Sequence, residues 1–275
     1  MHPFERILLA TEHTEFDRGA ERVALALAKH CGTPLAAVVP VVSNPEFESI
    51  APQIVARAEQ EAAANIADLR ADAQSAGVPL DIVARRGEEP YAEIVQEAIE
   101  RKADLIVLRR RGRRSFLSDL LVGEMVTKVM GHAPCSVLFV PRACQLWTRG
   151  VLAAVDASPN AAHVASIAAK AARQCDLPLH IVSALPHDTS TARAAAESTI
   201  AHARAVAEAA GIPTPGSGIL PGKPFEQILA AAKTLNADLI VMGRHGESNL
   251  IRAPFGGTTQ KVLGLTESPV LVVRA

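Results

Sequence analysis

The sequence ADLIVMGRHGESNLIRAPFGGTTQK, residues 237–261, decides which fold the chain can adopt. Its apolar run Leu239–Met242 predicts a buried strand, which ends at Gly243. Gly246 follows in a loop, and a helical pattern begins at the sequence GGTT of residues 256–259. A strand that ends in glycines and leads into a helix start presents unpaired backbone N–H groups, which suit a phosphate.

The composition indicates helices packed against a buried sheet. Hydrophobic residues make up 49% of the 275 residues and aromatic residues only 3%, so the core must consist mainly of Ala, Val, Leu and Ile. The net charge of −1 predicts neither a nucleic-acid partner nor binding to an anionic membrane surface. The four cysteines lack CxxC spacing, which argues against a zinc ribbon or a disulfide framework and fits a reducing cytosol.

Two further features of the sequence favour a cytoplasmic location. The sequence has no run of about 18 apolar residues, so no membrane span is expected. Its start, MHPFERILLA, lacks the basic and apolar regions of a signal peptide. We therefore expect a cytoplasmic protein that has no membrane partner.

Strand and helix patterns alternate along the first half of the chain. Apolar runs predict strands at residues 7–10, 34–42, 80–84, 103–108 and 136–140. Helical patterns run from Thr14 or Asp17 to about His30, over 52–76, from Pro90 onward and over 123–131, and residues 43–50 are predicted to form a polar loop. This alternation implies a parallel sheet that is covered by helices on both sides.

The second half of the chain repeats the first. Residues 225–246 align with residues 92–112, and Asp156 stands where the first half has Glu12. Such a repeat predicts two α/β domains, at residues 1–141 and 149–275, which are joined by a short connector.

The repeat also bears on how the domains associate. Because the connector is short, we expect the two domains to pack within the chain as a pseudo-two-fold pair. The last strands of the repeats, at 136–140 and 269–273, are apolar and would also suit pairing between two chains. A homodimer therefore stays open.

Three segments of the second half should meet at one edge of its sheet. Asp156 follows the first strand, the glycines at 243 and 246 follow the fourth, and residues 256–259 start the last helix. In open α/β sheets, ligands bind at the carboxyl ends of the strands. The alternative is that the glycines only form tight turns and that Asp156 only caps a helix, and the spacing alone leaves both interpretations open.

Taken together, these motifs resemble those of tandem universal stress proteins. Members of that family have five-stranded, doubly wound α/β domains of the Rossmann-like, adenine nucleotide alpha hydrolase-like type. Many carry an Asp after strand one and G-x2-G-x9-G-(S/T) after strand four, and those that do often bind ATP. Here Gly243, Gly246 and Gly256 match the glycines, Asp156 matches the acidic residue, and Ile181 falls where the family has a valine that contacts adenine.

The resemblance implies a binding site for ATP or a related nucleotide in the second half. Asp156 would bind the ribose or the base, and the backbone at Gly243 and Gly246 would bind the phosphates. The terminal phosphate would be bound by the segment Gly256, Gly257 and Thr258. Gly257 departs from the family pattern, since a Ser or Thr is expected there. Thr258 or Thr259 would have to supply the missing hydroxyl, whose loss costs about 1 kcal/mol, or roughly fivefold in affinity.

The first half departs further from the pattern, and we expect it to bind no ATP in this way. Arg109 replaces the first glycine, Glu124 replaces the Ser or Thr, and ten residues instead of nine separate Gly112 from Gly123. A carboxylate repels a triphosphate. This half is expected to serve as the structural and pairing half.

The arginines of the segment 109–114 form a basic cluster. One interpretation is a phosphate or nucleic-acid site. We favour a solvated loop that pairs with nearby acids such as Glu88, Glu89 or Asp119, because no aromatic residues interleave with the arginines.

The sequence therefore predicts a stress-response protein that senses an adenine nucleotide through its second half. The alternative is a nucleotide-free scaffold of the same fold that docks an unidentified protein partner. An enzyme ranks lowest, because the sequence has no nucleophile elbow, no Walker lysine and no spacing typical of a metal site. The resemblance permits at most a slow ATPase or autophosphorylation.

Overall fold

The computed structural model describes residues 3–110, 123–246 and 254–274. The chain divides into two compact units. Within the described residues, the first unit comprises residues 4–110 and 123–146, and the second comprises mainly residues 147–246 and 254–274.

Strands and helices alternate in the first unit as the sequence predicts. Its elements are β1 (Ile7–Ala10), α1 (Arg18–Cys31), β2 (Leu35–Val42), α2 (Pro45–Ile50), α3 (Pro52–Ala76), β3 (Leu80–Gly87), α4 (Pro90–Glu100), β4 (Leu105–Arg109), α5 (Glu124–His132) and β5 (Ser136–Val140). These five strands pair in the order β3-β2-β1-β4-β5, and every pair is parallel. The neighbours β1 and β4 therefore mark the point where the strand order reverses.

The second unit repeats this topology. Its elements are β6 (Val151–Ala154), α6 (Ala161–Gln174), β7 (Leu179–Leu185), α7 (Ser190–Ala209), β8 (Gly216–Pro221), α8 (Pro224–Thr234), β9 (Leu239–Gly243), α9 (Gly257–Leu265) and β10 (Val270–Val273). The strands pair in parallel in the order β8-β7-β6-β9-β10, so β6 and β9 are the neighbours at the reversal. Two doubly wound α/β units are thus confirmed.

The sheets are buried because their central strands are apolar on both faces. All four residues of β1 and the first four of β9 are buried, which is typical of strands with helices on each side. Helix α6 packs closely on its sheet through small side chains, since Ala165, Ala168 and Ala172 are completely buried. The low aromatic content of the chain is therefore matched by close packing of aliphatic side chains.

One carboxylate has the same role in both units. Asp104, just before β4, accepts hydrogen bonds from the backbone N atoms of Glu5 (2.9 Å) and Arg6 (3.1 Å), ahead of β1. Asp238, just before β9, accepts them from Thr148 (2.9 Å), Arg149 (3.0 Å) and Gly150 (3.1 Å), ahead of β6. Each bond is charge-assisted, so these aspartates fix the amino ends of the central strands.

Two predictions for the first unit were wrong. Part of the predicted loop 43–50 is helix α2, whose first turn carries Glu46 and Glu48, because acidic residues near a helix start stabilise it. Strand β3 continues to Gly87 instead of ending at residue 84, and Arg85 pairs there with Pro40 of β2. A charged residue can extend this strand because carboxylates of α4 neutralise it.

Helix α4 supplies three such carboxylates. Arg85 Nη1 lies 2.6 Å from Glu97 and 2.8 Å from Glu100, and Arg85 Nε lies 3.2 Å from Glu93.

Among the described helices, none is both long enough and apolar enough to cross a membrane.

Candidate functional site

The reversal of strand order in the second unit opens a cavity of about 380 Å³ at the carboxyl ends of β6 and β9. Of the residues predicted for the site, the following line this cavity: Asp156, Gly243, Gly246, Gly256, Gly257 and Thr258. The lining also has an apolar wall that includes Pro186, Pro224 and Ile228. The structure therefore brings the separate sequence motifs to a single cavity.

Ile181 differs from the other predicted site residues. It pairs with Ala153 in the middle of the sheet and is completely buried. From the same strand, the cavity is lined by Ala184, three residues closer to the carboxyl end. Ile181 itself is not among the residues that line the cavity, and its predicted contact with adenine stays a prediction.

Asp156 and Gly246 approach each other closely. The carboxylate oxygen Oδ1 of Asp156 accepts a hydrogen bond from the backbone N of Ser158 at 3.2 Å. Its other oxygen, Oδ2, would lie only 2.6 Å from a Cβ atom added at Gly246. Glycine at position 246 therefore lets the backbone reach the carboxylate without displacing it. Because Ser158 precedes α6, Asp156 orders the turn ahead of that helix.

Helix α9 directs its amino end at the cavity. Its first helical hydrogen bond runs from the N of Gln260 to the O of Gly256 at 3.0 Å, so the N–H groups of Gly257, Thr258 and Thr259 precede that bond. These N–H groups and the helix dipole make an anion-binding end. The hydroxyl of Thr259 donates to the O of Gly243 at 3.1 Å, so of the two candidate threonines Thr258 is the better placed to serve a ligand.

The first unit has a related cavity of about 320 Å³ with altered chemistry. Arg109 lines it and donates from Nη2 to Glu12 at 2.9 Å and from Nη1 to Asp17 at 3.3 Å. The start of α5 contributes Glu124 and Met125, where the second unit has Gly257 and Thr258. This cavity thus contains its own ion pairs and lacks the hydroxyl at the helix start.

The arginine cluster is only partly within the described residues. Arg109 pairs with Glu12 and Asp17 and not with the predicted acids Glu88 or Glu89. Glu89 instead binds Lys128 at 2.9 Å, and its hydrogen bond, followed by that of Glu124, raises the pKa of Lys128 to about 12. Arg111, Arg113, Arg114 and Asp119 lie outside the described residues.

A buried polar cluster next to the first cavity was missed by sequence reasoning. Glu21 Oε1 accepts a hydrogen bond from the hydroxyl of Thr11 at 2.7 Å and lies 2.9 Å from Nδ1 of His13. All three side chains are buried, and His13 has a φ of +55°, which is uncommon for a residue other than glycine. A signal was available, since Glu21 is on the face of α1 that buries Ala24 and Ala28.

Among the residues that the structure describes, no group of three or more His, Cys, Asp or Glu side chains could hold a metal ion.

Fold and site together define a tandem, doubly wound α/β protein whose second unit has a cavity at the carboxyl ends of β6 and β9. A model of the Universal stress protein family matches residues 3–141 and 148–274, and the chain belongs to this family. The predicted resemblance is thereby confirmed.

Named relatives agree with this assignment. The universal stress protein in the QAH/OAS sulfhydrylase 3′ region of Thermus aquaticus is 35% identical over 144 residues, which cover 50% of this chain and 98% of the relative. Universal stress protein Slr1230 of Synechocystis is 30% identical over 171 residues, which cover 62% of this chain and 58% of the relative. The crystal structure of a universal stress protein from Archaeoglobus fulgidus shares the fold, with a TM-score of 0.77, 19% identity and 98% coverage of both chains.

Proposed function

We propose that the second unit binds an adenine nucleotide and that the chain senses this ligand as a cytoplasmic stress-response protein. The observation that carries the proposal is the convergence of Asp156, the backbone at Gly243 and Gly246 and the start of α9 on one cavity. A pocket of a few hundred Å³ with an apolar wall and a few convergent polar groups is typical of small-molecule sites. The cysteine pattern supports the cytoplasmic setting.

Each part of the cavity suits one part of a nucleotide. Asp156 can accept hydrogen bonds from ribose hydroxyls or a base amine. The N–H groups at the start of α9, with the hydroxyl of Thr258, suit a phosphate. Pro186 and Ile228 offer an apolar surface to the base, and Ala184 lines the cavity from β7, the strand that carries Ile181. ATP is the ligand that the family resemblance favours.

The proposal is tested first by identifying what the purified protein carries. Mass spectrometry of the small molecules released on denaturation is followed by titration calorimetry with ATP, ADP and AMP. We expect one adenine nucleotide per chain. Binding should be lost in Asp156→Ala and kept in Glu12→Ala, the matched change at the equivalent position of the first unit. An empty protein that binds none of the three at millimolar concentration would contradict the proposal.

A protein-interaction scaffold remains the second candidate, and one observation favours it. Three large aliphatic side chains of the first unit are exposed, with 65% of Val42, 83% of Ile50 and 55% of Ile54 accessible to solvent. Contiguous exposed apolar patches are a feature of docking surfaces, and these three side chains come from the successive elements β2, α2 and α3. Screening for a protein partner of the full chain, with Ile50→Glu as the variant that should abolish capture, tests this candidate.

A further inference from the structure

Arg244 connects three elements around the candidate site. Its backbone N donates to the O of Val273 in β10 at 3.2 Å, and its backbone O accepts from the N of Gly256 at 2.9 Å. Its side-chain Nε donates to the O of Pro254 at 2.6 Å. A single residue at the end of β9 thus binds both the last strand and the segment that begins α9.

These bonds fix the amino end of α9 relative to the strand. Pro254 and Gly256 come ten and twelve residues after Arg244, and holding together points that lie so far apart in the sequence costs conformational entropy. The bond from the guanidinium is charge-assisted and therefore stronger than a neutral one. The bond that Arg244 donates to Pro254 and the bond that its backbone O accepts from Gly256 offset this entropy cost. Both lie at the position where the N–H groups that would bind a phosphate start.

Arg244 keeps its charge in an unfavourable place. Partial burial, and secondly the charge of Arg274, lower the pKa of Arg244 from its ordinary value, although a guanidinium still remains protonated. Desolvating a charge costs free energy, which the hydrogen bond to Pro254 helps to offset. The residues that line the cavity include His245 but not Arg244, so Arg244 acts on the site through α9.

We propose that Arg244 is a positioning residue, which holds the start of α9 against the cavity and makes the site prefer ligands that carry a phosphate. This inference rests on the proposed function. A nucleoside would contact Asp156 and the apolar wall, neither of which depends on Arg244, whereas a phosphate needs the N–H groups of α9. Loss of the Arg244 side chain should therefore weaken a nucleotide much more than the corresponding nucleoside.

The test compares AMP with adenosine on the full-length chain. Arg244→Met removes the Nε donor but keeps most of the side-chain length, and Arg193→Met is the matched control, because Arg193 is an exposed arginine of the same unit that binds Asp188. By calorimetry we expect Arg244→Met to raise the Kd for AMP about tenfold and to change that for adenosine less than twofold. The control should change neither value.

A second measurement needs no ligand. Amide hydrogen exchange, measured by NMR, should be faster at Gly256 and Gly257 in Arg244→Met than in the unaltered protein, with Val241 in the core unchanged. If the methionine variant does not fold, Arg244→Lys keeps the charge but lacks the planar Nε donor and is compared in the same way.

The outcomes separate the two claims. Equal weakening of AMP and adenosine would indicate general destabilisation and overturn the positioning role, as would unchanged affinity for both. If the unaltered protein binds none of ATP, ADP, AMP and adenosine, the proposed function and the phosphate preference both fail. The amide exchange rates at Gly256 then decide by themselves whether Arg244 positions α9. Rates that are unchanged in the variant would reject that positioning role.

Discussion

Restoring a hydroxyl at position 257 should strengthen nucleotide binding. A Cβ atom added at Gly257 would meet no heavy atom within 4 Å among the described residues, so a serine fits without displacing a neighbour. Gly257 is the first residue of α9 and lines the cavity. The added hydroxyl can donate one hydrogen bond to a phosphate, which contributes about 1 kcal/mol, or roughly a fivefold lower Kd.

The assay must separate the hydroxyl from the backbone effect of replacing glycine. Gly257→Ala supplies the Cβ atom without the donor and can stabilise α9 by up to about 1 kcal/mol through helix propensity alone. Titration calorimetry with ATP on Gly257→Ser, Gly257→Ala and the unaltered protein therefore isolates the hydrogen bond. The Gly257→Ser variant should bind ATP about fivefold more tightly than the Gly257→Ala variant.

Equal affinities of the serine and alanine variants would refute the reasoning, because they would mean that no phosphate reaches the start of α9. A second control uses the first unit, where Glu124→Ser introduces a serine at the equivalent position. It should create no nucleotide site there, since Arg109 still engages Glu12 in that cavity.

Two further predictions follow from the contacts described above. In Gly246→Ala the new Cβ would lie 2.6 Å from Oδ2 of Asp156, so the carboxylate must rotate away. We expect calorimetry to show nucleotide affinity at least about tenfold lower, with an unchanged Tm. An unchanged affinity would contradict the proposed role of Asp156 in binding the nucleotide. The pKa of Lys128 is raised to about 12, so its stabilising contribution should be complete below the unfolded-state pKa of about 10.4 and be lost as pH rises through 12. Urea denaturation between pH 9 and 12 should show this loss of stability in the unaltered protein but not in Lys128→Gln. If the free energy of unfolding has the same pH dependence in both proteins, the stabilising role of Lys128 is rejected.

The fold was predictable where local pattern and tertiary structure agree. Residues 7–10, 52–76 and 136–140 form elements with the predicted bounds, because their apolar runs or helical periods are uninterrupted. The extension of β3 was not predictable, since Arg85 is acceptable in a strand only with the carboxylates of α4 beside it. Such partners are fixed by the fold and not by neighbours in sequence.

The candidate site shows the same division. Glycine spacing and Asp156 were sufficient to predict which segments meet, because strand ends in a parallel sheet share one edge. The depth of Ile181 in β7, the pairing of Arg109 with Asp17 and the burial of Glu21 depend on the register of strands and the orientation of helices. Those quantities cannot be obtained from the spacing of motifs.

The equivalent aspartates of the two units, Asp104 and Asp238, have a consequence for how the sequence of such a duplicated chain can change. They hold each sheet at its amino edge, whereas the candidate cavities open at the carboxyl edge. Stability and ligand chemistry are thus assigned to opposite ends of the same strands. One copy could exchange glycine for arginine and threonine for methionine at its cavity while its scaffold stayed intact. A protein engineer could use the same separation, varying the carboxyl edge of either copy freely while leaving the aspartate anchors untouched.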